Sequence, residues 1–187
     1  MARAIKNPKE LILDTASKIM YNEGYSQLSI RRVAKECNIA VGTIYNYFPT
    51  KKELVVEMMT NFWKEYFFDI RNIIESQDEF YYKLRTIFNS LSKFIKRFKD
   101  VWLKSDIYET PDYIESGLER ENIYIDKLIL IIEDMLKEKL STEPNVGFEQ
   151  INSKEMASFI VMNFITMVQM PQFKYEFFQE VLKKVLK

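Results

Sequence analysis

Apolar side chains recur three and four residues apart through most of this chain, which is the spacing of one face of an α-helix. The first such stripe comprises Leu11, Ile12, Ala16, Ile19 and Met20. No stretch alternates apolar and polar residues over the length of a strand. Because only four glycines and five prolines interrupt these patterns, the sequence predicts an all-α protein of about nine helices.

Two short helical patterns flank a turn between Ser29 and Phe48. Ser29 is a candidate cap for the first helix, whose inner face is predicted to be Ile30, Val33, Ala34 and Cys37. Asn38 occupies the turn, where a left-handed backbone is expected and where Asn is the best substitute for Gly. In the second helix, which is predicted from about residue 40 to 47, Ile44 points inward. This arrangement is typical of a helix-turn-helix that docks on DNA.

The residues after this motif predict where the helix-turn-helix region ends and a second helical region begins. Thr50 and Glu53 have the spacing of a capping box, which begins a long helix extending to about residue 75. We therefore expect a DNA-binding head at residues 1–53 and a separate helical body at residues 54–187.

The distribution of charge along the chain agrees with this division, whereas the net charge of the whole chain does not indicate a nucleic-acid partner. Lys plus Arg and Asp plus Glu are both 27, so the formal net charge is zero. Up to Lys52, however, there are nine basic and four acidic residues, a net charge of +5 that the remainder balances. A basic head suggests a polyanionic partner at that end only. A chance fluctuation gives the same asymmetry, so charge alone does not decide.

The head carries side chains for both kinds of DNA contact. Phosphate contacts supply affinity and position, whereas contacts to base edges supply specificity. We assign the phosphate contacts to Tyr45, Tyr47 and Lys51, and the base-edge contacts to Arg31, Thr43 and Asn46. Arginine can fork onto guanine O6 and N7.

At these positions the chain resembles the TetR family of transcriptional regulators. The resemblance is carried by Gly42-Thr43-Ile44-Tyr45-x-Tyr47-Phe48-x-x-Lys51-x-x-Leu54, preceded by Gly24-Tyr25 and Ser29-x-x-x-Val33-Ala34. It implies an all-α homodimer whose third helix enters the major groove of DNA. It also implies that residues 54–187 are a ligand-binding and dimerisation domain. It also implies DNA contacts by Arg31, Thr43, Tyr45, Tyr47 and Lys51.

Two positions depart from the family pattern. Asn38 stands where Gly is usual, and Ala40 stands where Ser is frequent, so the third helix lacks a side-chain cap. The missing cap is expected to cost about 1 kcal/mol. Neither change is expected to prevent folding.

The resemblance places dimerisation in the last two helices, which are apolar and separated by Pro171. The residues assigned to the interface are Phe159, Phe164, Met167, Phe177 and Val181. Internal core is the alternative interpretation of the same pattern.

Abundant aromatic residues in the body predict an apolar cavity for a small, lipophilic effector. The candidate lining residues are Phe62, Trp63, Tyr66, Phe67, Trp102, Tyr108 and Tyr113. For each of these residues taken singly, packing in an ordinary hydrophobic core is the alternative interpretation.

Other functions receive less support. The absence of histidine removes the commonest general base and metal ligand, so we predict neither an enzyme nor a bound cofactor or metal. No apolar run reaches the roughly 20 residues of a membrane span, and a cytoplasmic location is expected. The sequence thus predicts a ligand-responsive regulator, a repressor, that binds a palindromic operator. The alternative is a co-regulator with the same fold that binds another protein instead of DNA.

Overall fold

The structure, a computed structural model, describes residues 7–100, 111–142, 152–170 and 172–186, with side chains in the second range from residue 122. The described residues form eight α-helices and one short 3-10 helix, and contain no strand. The all-α prediction is therefore confirmed. The additional short helix predicted around residues 102–108 lies outside the described residues. The helices are α1 (Pro8–Glu23), the 3-10 turn (Tyr25–Gln27), α2 (Ile30–Cys37), α3 (Val41–Tyr47), α4 (Lys51–Glu75), α5 (Phe80–Phe98), α6 (Pro111–Thr142), α7 (Ser153–Gln169) and α8 (Tyr175–Val185).

Local side-chain chemistry sets the first helix boundaries. Asn7 caps α1 by accepting from the Glu10 N–H at 3.4 Å, with Pro8 in the first helical position. The helix ends at Gly24, whose φ of 88° favours glycine. At the start of α4, Thr50 and Glu53 form the predicted reciprocal capping box, with both hydrogen bonds at 3.1 Å.

The chain divides into two compact units. Unit 1 comprises Met1–Glu65 and Lys96–Arg120, and unit 2 comprises Tyr66–Ile95 and Glu121–Lys187. Helices α4, α5 and α6 therefore each supply residues to both units. The predicted boundary after residue 53 separates functions, whereas these units are defined by compactness. The functional boundary therefore stays a prediction.

Unit 1 is built on the core of the three N-terminal helices and the start of α4. Its buried members include the predicted inner faces of α1, α2 and α3, such as Ile12, Val33 and Ile44, together with Leu54 and Met58 of α4. This core fixes α2 and α3 against the rest of the head.

Unit 2 contains an aromatic cluster between α5, α7 and α8. Phe88 stacks on Tyr175 with ring centroids 4.8 Å apart, and Phe164 lies 5.3 Å from Phe88 and 5.8 Å from Phe178. Phe164 is 0% exposed and Met167 is 6% exposed. Their assignment to a dimer interface is therefore wrong, because one turn of α7 directs both side chains into the core of their own protomer.

The outward face of α7 and α8 is nevertheless apolar. It includes three of the five residues assigned to the interface, and four others that were not assigned. The exposed apolar residues in these helices and at their ends are Phe159, Met162, Met170, Phe173, Phe177, Val181 and Val185. In the described part of the chain, no helix is both long enough and apolar enough to cross a membrane.

Candidate nucleic-acid interface

The turn between α2 and α3 has the geometry expected for a helix-turn-helix. The Ser29 hydroxyl accepts from the Arg32 N–H at 3.2 Å and caps α2. Asn38 ends α2 in the left-handed conformation, with φ 54° and ψ 45°. The Ala34 carbonyl accepts from the Asn38 N–H and, at 3.0 Å, from the Ile39 N–H, and these hydrogen bonds close the end of the helix. Asn thus fulfils the conformational role that Gly has in the family pattern.

Helix α3 is held by a single fully buried side chain and leaves its other side chains accessible. Ile44 is 0% exposed, whereas Tyr45 and Tyr47 are 49% and 41% exposed. Asn46 is also exposed, and Thr43 is partly buried. No side chain caps α3 at Ala40, as predicted. The polar groups that were assigned to DNA are therefore available on the surface.

Gly42 lies on the exposed part of α3. A methyl group at this position would meet no atom within 4 Å. The protein's own packing therefore does not require glycine here.

The adjacent arginines of α2 have different surroundings. Arg32 donates to Glu23 at the end of α1 and, at 3.0 Å, to Glu36 in the next turn of α2. The hydrogen bond from Arg32 lowers the pKa of the Glu23 carboxyl. Arg31 is exposed and makes no ion pair with the described residues. Arg32 therefore ties α2 to α1, while the Arg31 guanidinium remains available to a ligand.

Lys51 is anchored to the turn that precedes α2. Its ammonium donates to the Tyr25 carbonyl at 3.3 Å and lies 3.6 Å from the centroid of the Tyr25 ring. Lys51 was assigned to phosphate, and this partner was not predicted. The two positions are 26 residues apart in the sequence, and no helical spacing relates them.

The described aromatic residues assigned to the effector cavity belong to both units. In unit 1, Phe62 and Trp63 pack on Phe98 at 6.0 and 6.4 Å between ring centroids. In unit 2, Tyr66 packs on Phe94 at 4.7 Å, and Phe67 on Tyr124 at 5.6 Å. Burial raises the pKa of the Tyr66 hydroxyl.

The other assigned cavity residues, Trp102 and Tyr108 and the side chain of Tyr113, lie outside the described residues. Unit 2 contains an open cavity of about 360 Å³ that none of the seven assigned residues lines. Its walls are Asp78, Glu79, Phe80, Tyr81, Lys83, Met135, Glu138, Lys139 and Thr142. The effector site thus stays a prediction. Among the described residues, no cluster of His, Cys, Asp and Glu could hold a metal ion.

The fold and this surface define a class: an all-helical protein with an N-terminal helix-turn-helix, as in DNA-binding regulators. Residues 12–58 match the sequence profile of bacterial regulatory proteins, tetR family. The match covers about a quarter of the chain, and over these residues the chain is similar to that family of transcriptional regulators.

Curated relatives resemble the N-terminal part of the chain. An uncharacterised HTH-type transcriptional regulator, YuxN of Bacillus subtilis, is 38% identical over 69 residues, covering 37% of this chain and 24% of that protein. The chain spans between about a quarter and a half of the length of the first curated relatives it matches.

Solved structures share the fold over nearly the whole chain. A transcriptional regulator from Cytophaga hutchinsonii superimposes with a TM-score of 0.70 at 19% identity, over 95% of this chain and 93% of that one. FadR of Bacillus subtilis in complex with stearoyl-CoA superimposes with a TM-score of 0.55 at 18% identity, over 95% and 96% of the two chains. At these identities the likeness concerns the fold alone.

Proposed function

We propose that this protein is a transcriptional repressor that binds a palindromic DNA operator as a homodimer and is released by a small lipophilic effector. The observation that carries the proposal is the outward chemistry of the helix-turn-helix. Helix α3 buries Ile44 and exposes Tyr45, Asn46 and Tyr47, while α2 leaves Arg31 without an ion pair to the described residues. These groups suit phosphate oxygens and base edges.

The proposed contacts divide into two kinds. Tyr45, Tyr47 and Lys51 bind phosphate and set the position of the head on the duplex. Arg31, Thr43 and Asn46 read base edges in the major groove. A single head reads few base pairs, so specificity depends on two heads at a fixed separation, about one helical turn of DNA (roughly 34–36 Å) or more.

The apolar outward face of α7 and α8 supports the homodimer. Phe177 is 70% exposed and Phe159 is 49% exposed. Exposed apolar residues in such number on two helices are typical of an interaction surface. Two copies of a helix pair can cover each other's apolar faces in a four-helix bundle. We therefore retain Phe159, Phe177 and Val181 as interface residues and add Met162.

The effector is proposed to be a lipophilic molecule, with a long-chain fatty acyl thioester as the first candidate. The support is the aromatic content of the body and the shared fold with FadR, which was solved with stearoyl-CoA. The effector acts by binding more tightly to a conformation of the dimer that does not fit the operator. A transcriptional repressor acts where the DNA is, so the proposed location is the cytoplasm. The proposal includes no catalytic role.

Selection from a library of random duplexes tests the DNA-binding part of this proposal. Repeated rounds of binding and amplification should enrich an inverted repeat whose half-sites lie one helical turn or more apart. Failure to enrich any sequence would favour the alternative, a co-regulator that binds a protein instead of DNA.

The enriched duplex then serves to test the effector. Stearoyl-CoA added to the protein–duplex complex should release the DNA, while free coenzyme A at the same concentration should not. Equal release by both compounds, or by neither, would contradict the proposed acyl effector. Neither result would contradict the proposal that the protein binds DNA.

A further inference from the structure

Lys51 contacts both the backbone carbonyl and the aromatic ring of Tyr25, which lies in the turn between α1 and α2. The ammonium donates to the Tyr25 carbonyl at 3.3 Å and lies 3.6 Å from the centroid of the Tyr25 ring. An ammonium this close to an aromatic face is attracted by the ring's quadrupole and directs an N–H towards it. The lysine ammonium has three N–H donors. With one donor on the carbonyl and one towards the ring, the third remains for another acceptor.

The surroundings of this pair fix the ring as well. Tyr25 is partly buried and packs against the hydrophobic core of the head. The turn that carries Tyr25 lies between Gly24 and Ser29, the cap of α2. The ring therefore has a defined place relative to α2, and Lys51 begins α4 directly after α3.

We propose that Tyr25 is a positioning residue of the DNA-binding surface, which holds the Lys51 ammonium in place for a phosphate group. This inference rests on the proposed DNA binding. Lysine is a flexible side chain that loses much rotamer freedom when it is fixed. Because the Tyr25 ring and carbonyl restrict it before DNA arrives, less of that freedom is lost on binding. Tyr25 itself contacts Lys51 and not the DNA.

A series of substitutions at position 25 separates this role from core packing. Tyr25→Phe keeps the aromatic face, whereas Tyr25→Leu keeps apolar contact and removes the face. Binding to a random-sequence duplex at low salt is measured by fluorescence anisotropy. We expect Tyr25→Phe to bind like the wild-type protein and Tyr25→Leu to bind about threefold to tenfold more weakly.

The same comparison in a Lys51→Met background shows whether the effect acts through the lysine. Without the ammonium, the Phe and Leu variants at position 25 should bind equally. An unchanged difference between them would mean that Tyr25 acts by packing alone, and it would overturn the inference.

Stepwise fluorination of a phenylalanine at position 25 provides a second measurement that does not depend on the stability of the Leu variant. Fluorine withdraws electron density from the ring face and changes its size little. We expect affinity for the duplex to fall with each added fluorine when Lys51 is present. A flat series, or tighter binding by Tyr25→Leu, would show that the ring does not prepare Lys51 for phosphate. If the wild-type protein binds no duplex at all, the proposed function itself fails.

Discussion

Two helix pairs in this protein present opposite chemistry to solvent. The pair α2 and α3 buries its apolar side chains and exposes an arginine, two tyrosines and an asparagine. The pair α7 and α8 also buries a full apolar face, but it leaves a second apolar face outside. A surface of hydroxyl, amide and guanidinium groups suits a nucleic acid, whereas a surface of phenylalanine and methionine suits another protein surface. This difference supports the proposed division, in which α2 and α3 recognise DNA and α7 and α8 form the dimer.

The largest expected effect comes from placing charge on the apolar pair. Phe177→Asp combined with Met162→Lys should convert the dimer into a monomer, because both side chains are exposed in the protomer and would be desolvated in the interface. Loss of the second head should weaken operator binding by about 100-fold or more. Light scattering measures the mass, and anisotropy measures the affinity.

Phe68→Asp is the matched control for that prediction. Phe68 is 66% exposed, similar to Phe177, but lies on α4 outside the proposed interface. This variant should remain a dimer. A monomeric Phe68→Asp protein, or a dimeric double variant, would show that the interface has been assigned to the wrong surface.

The next effect distinguishes the two arginines of α2. Arg31→Ala should weaken binding by about 1–3 kcal/mol and relax the preference at one base pair, because its guanidinium is proposed to read guanine. Arg32→Ala should lower the melting temperature slightly and leave base preference unchanged, because Arg32 is tied to Glu23 and Glu36. Binding to a set of single-base operator variants measures both. An equal loss on every variant for Arg31→Ala would remove its base-reading role.

A smaller and uniform effect is expected from the tyrosine hydroxyls of α3. Tyr47→Phe removes only the proposed phosphate donor and should weaken binding by about 1 kcal/mol, or roughly fivefold. The loss should be the same for operator and random duplexes, since phosphate contacts carry no direct sequence information. A loss confined to the operator would instead assign Tyr47 to base recognition.

The smallest change in affinity is expected for Gly42→Ala. This substitution should make the free protein more stable although it weakens DNA binding. Alanine has space in the free protein and should raise the free energy of unfolding by about 0.5–1 kcal/mol, because glycine is unfavourable within a helix. The added methyl group should nevertheless weaken DNA binding. Thermal unfolding and anisotropy are measured on the same variant. A stabilised protein with unchanged affinity would mean that DNA does not approach Gly42 closely.

The comparison of the two helix pairs also explains what the sequence could predict. In the head, each boundary is set by residues within a few positions of each other, such as Ser29 with Arg32 and Thr50 with Glu53. Local chemistry therefore predicted the caps, the turn at Asn38 and the single buried side chain of α3. The same reasoning could not find the contact between Lys51 and Tyr25, which joins distant positions.

In α7 the difficulty was of another kind. The helix is apolar on several sides, so its sequence does not indicate which face meets the protomer core. Phe164 and Met167 were assigned outward, but the aromatic rings of α5 and α8 pack against Phe164. Only the position of neighbouring helices distinguishes the inner face from the outer one.

The salt dependence of binding to a random-sequence duplex tests the central claim, DNA recognition by the head, most directly. Because lysine and arginine displace counterions from phosphates, the logarithm of affinity should fall linearly with the logarithm of salt concentration, with a slope of about −2 or steeper. Lys51→Met should reduce the steepness of that slope by about one for each head that contacts the duplex. Weak binding at low salt that does not change as salt is raised would contradict the claim.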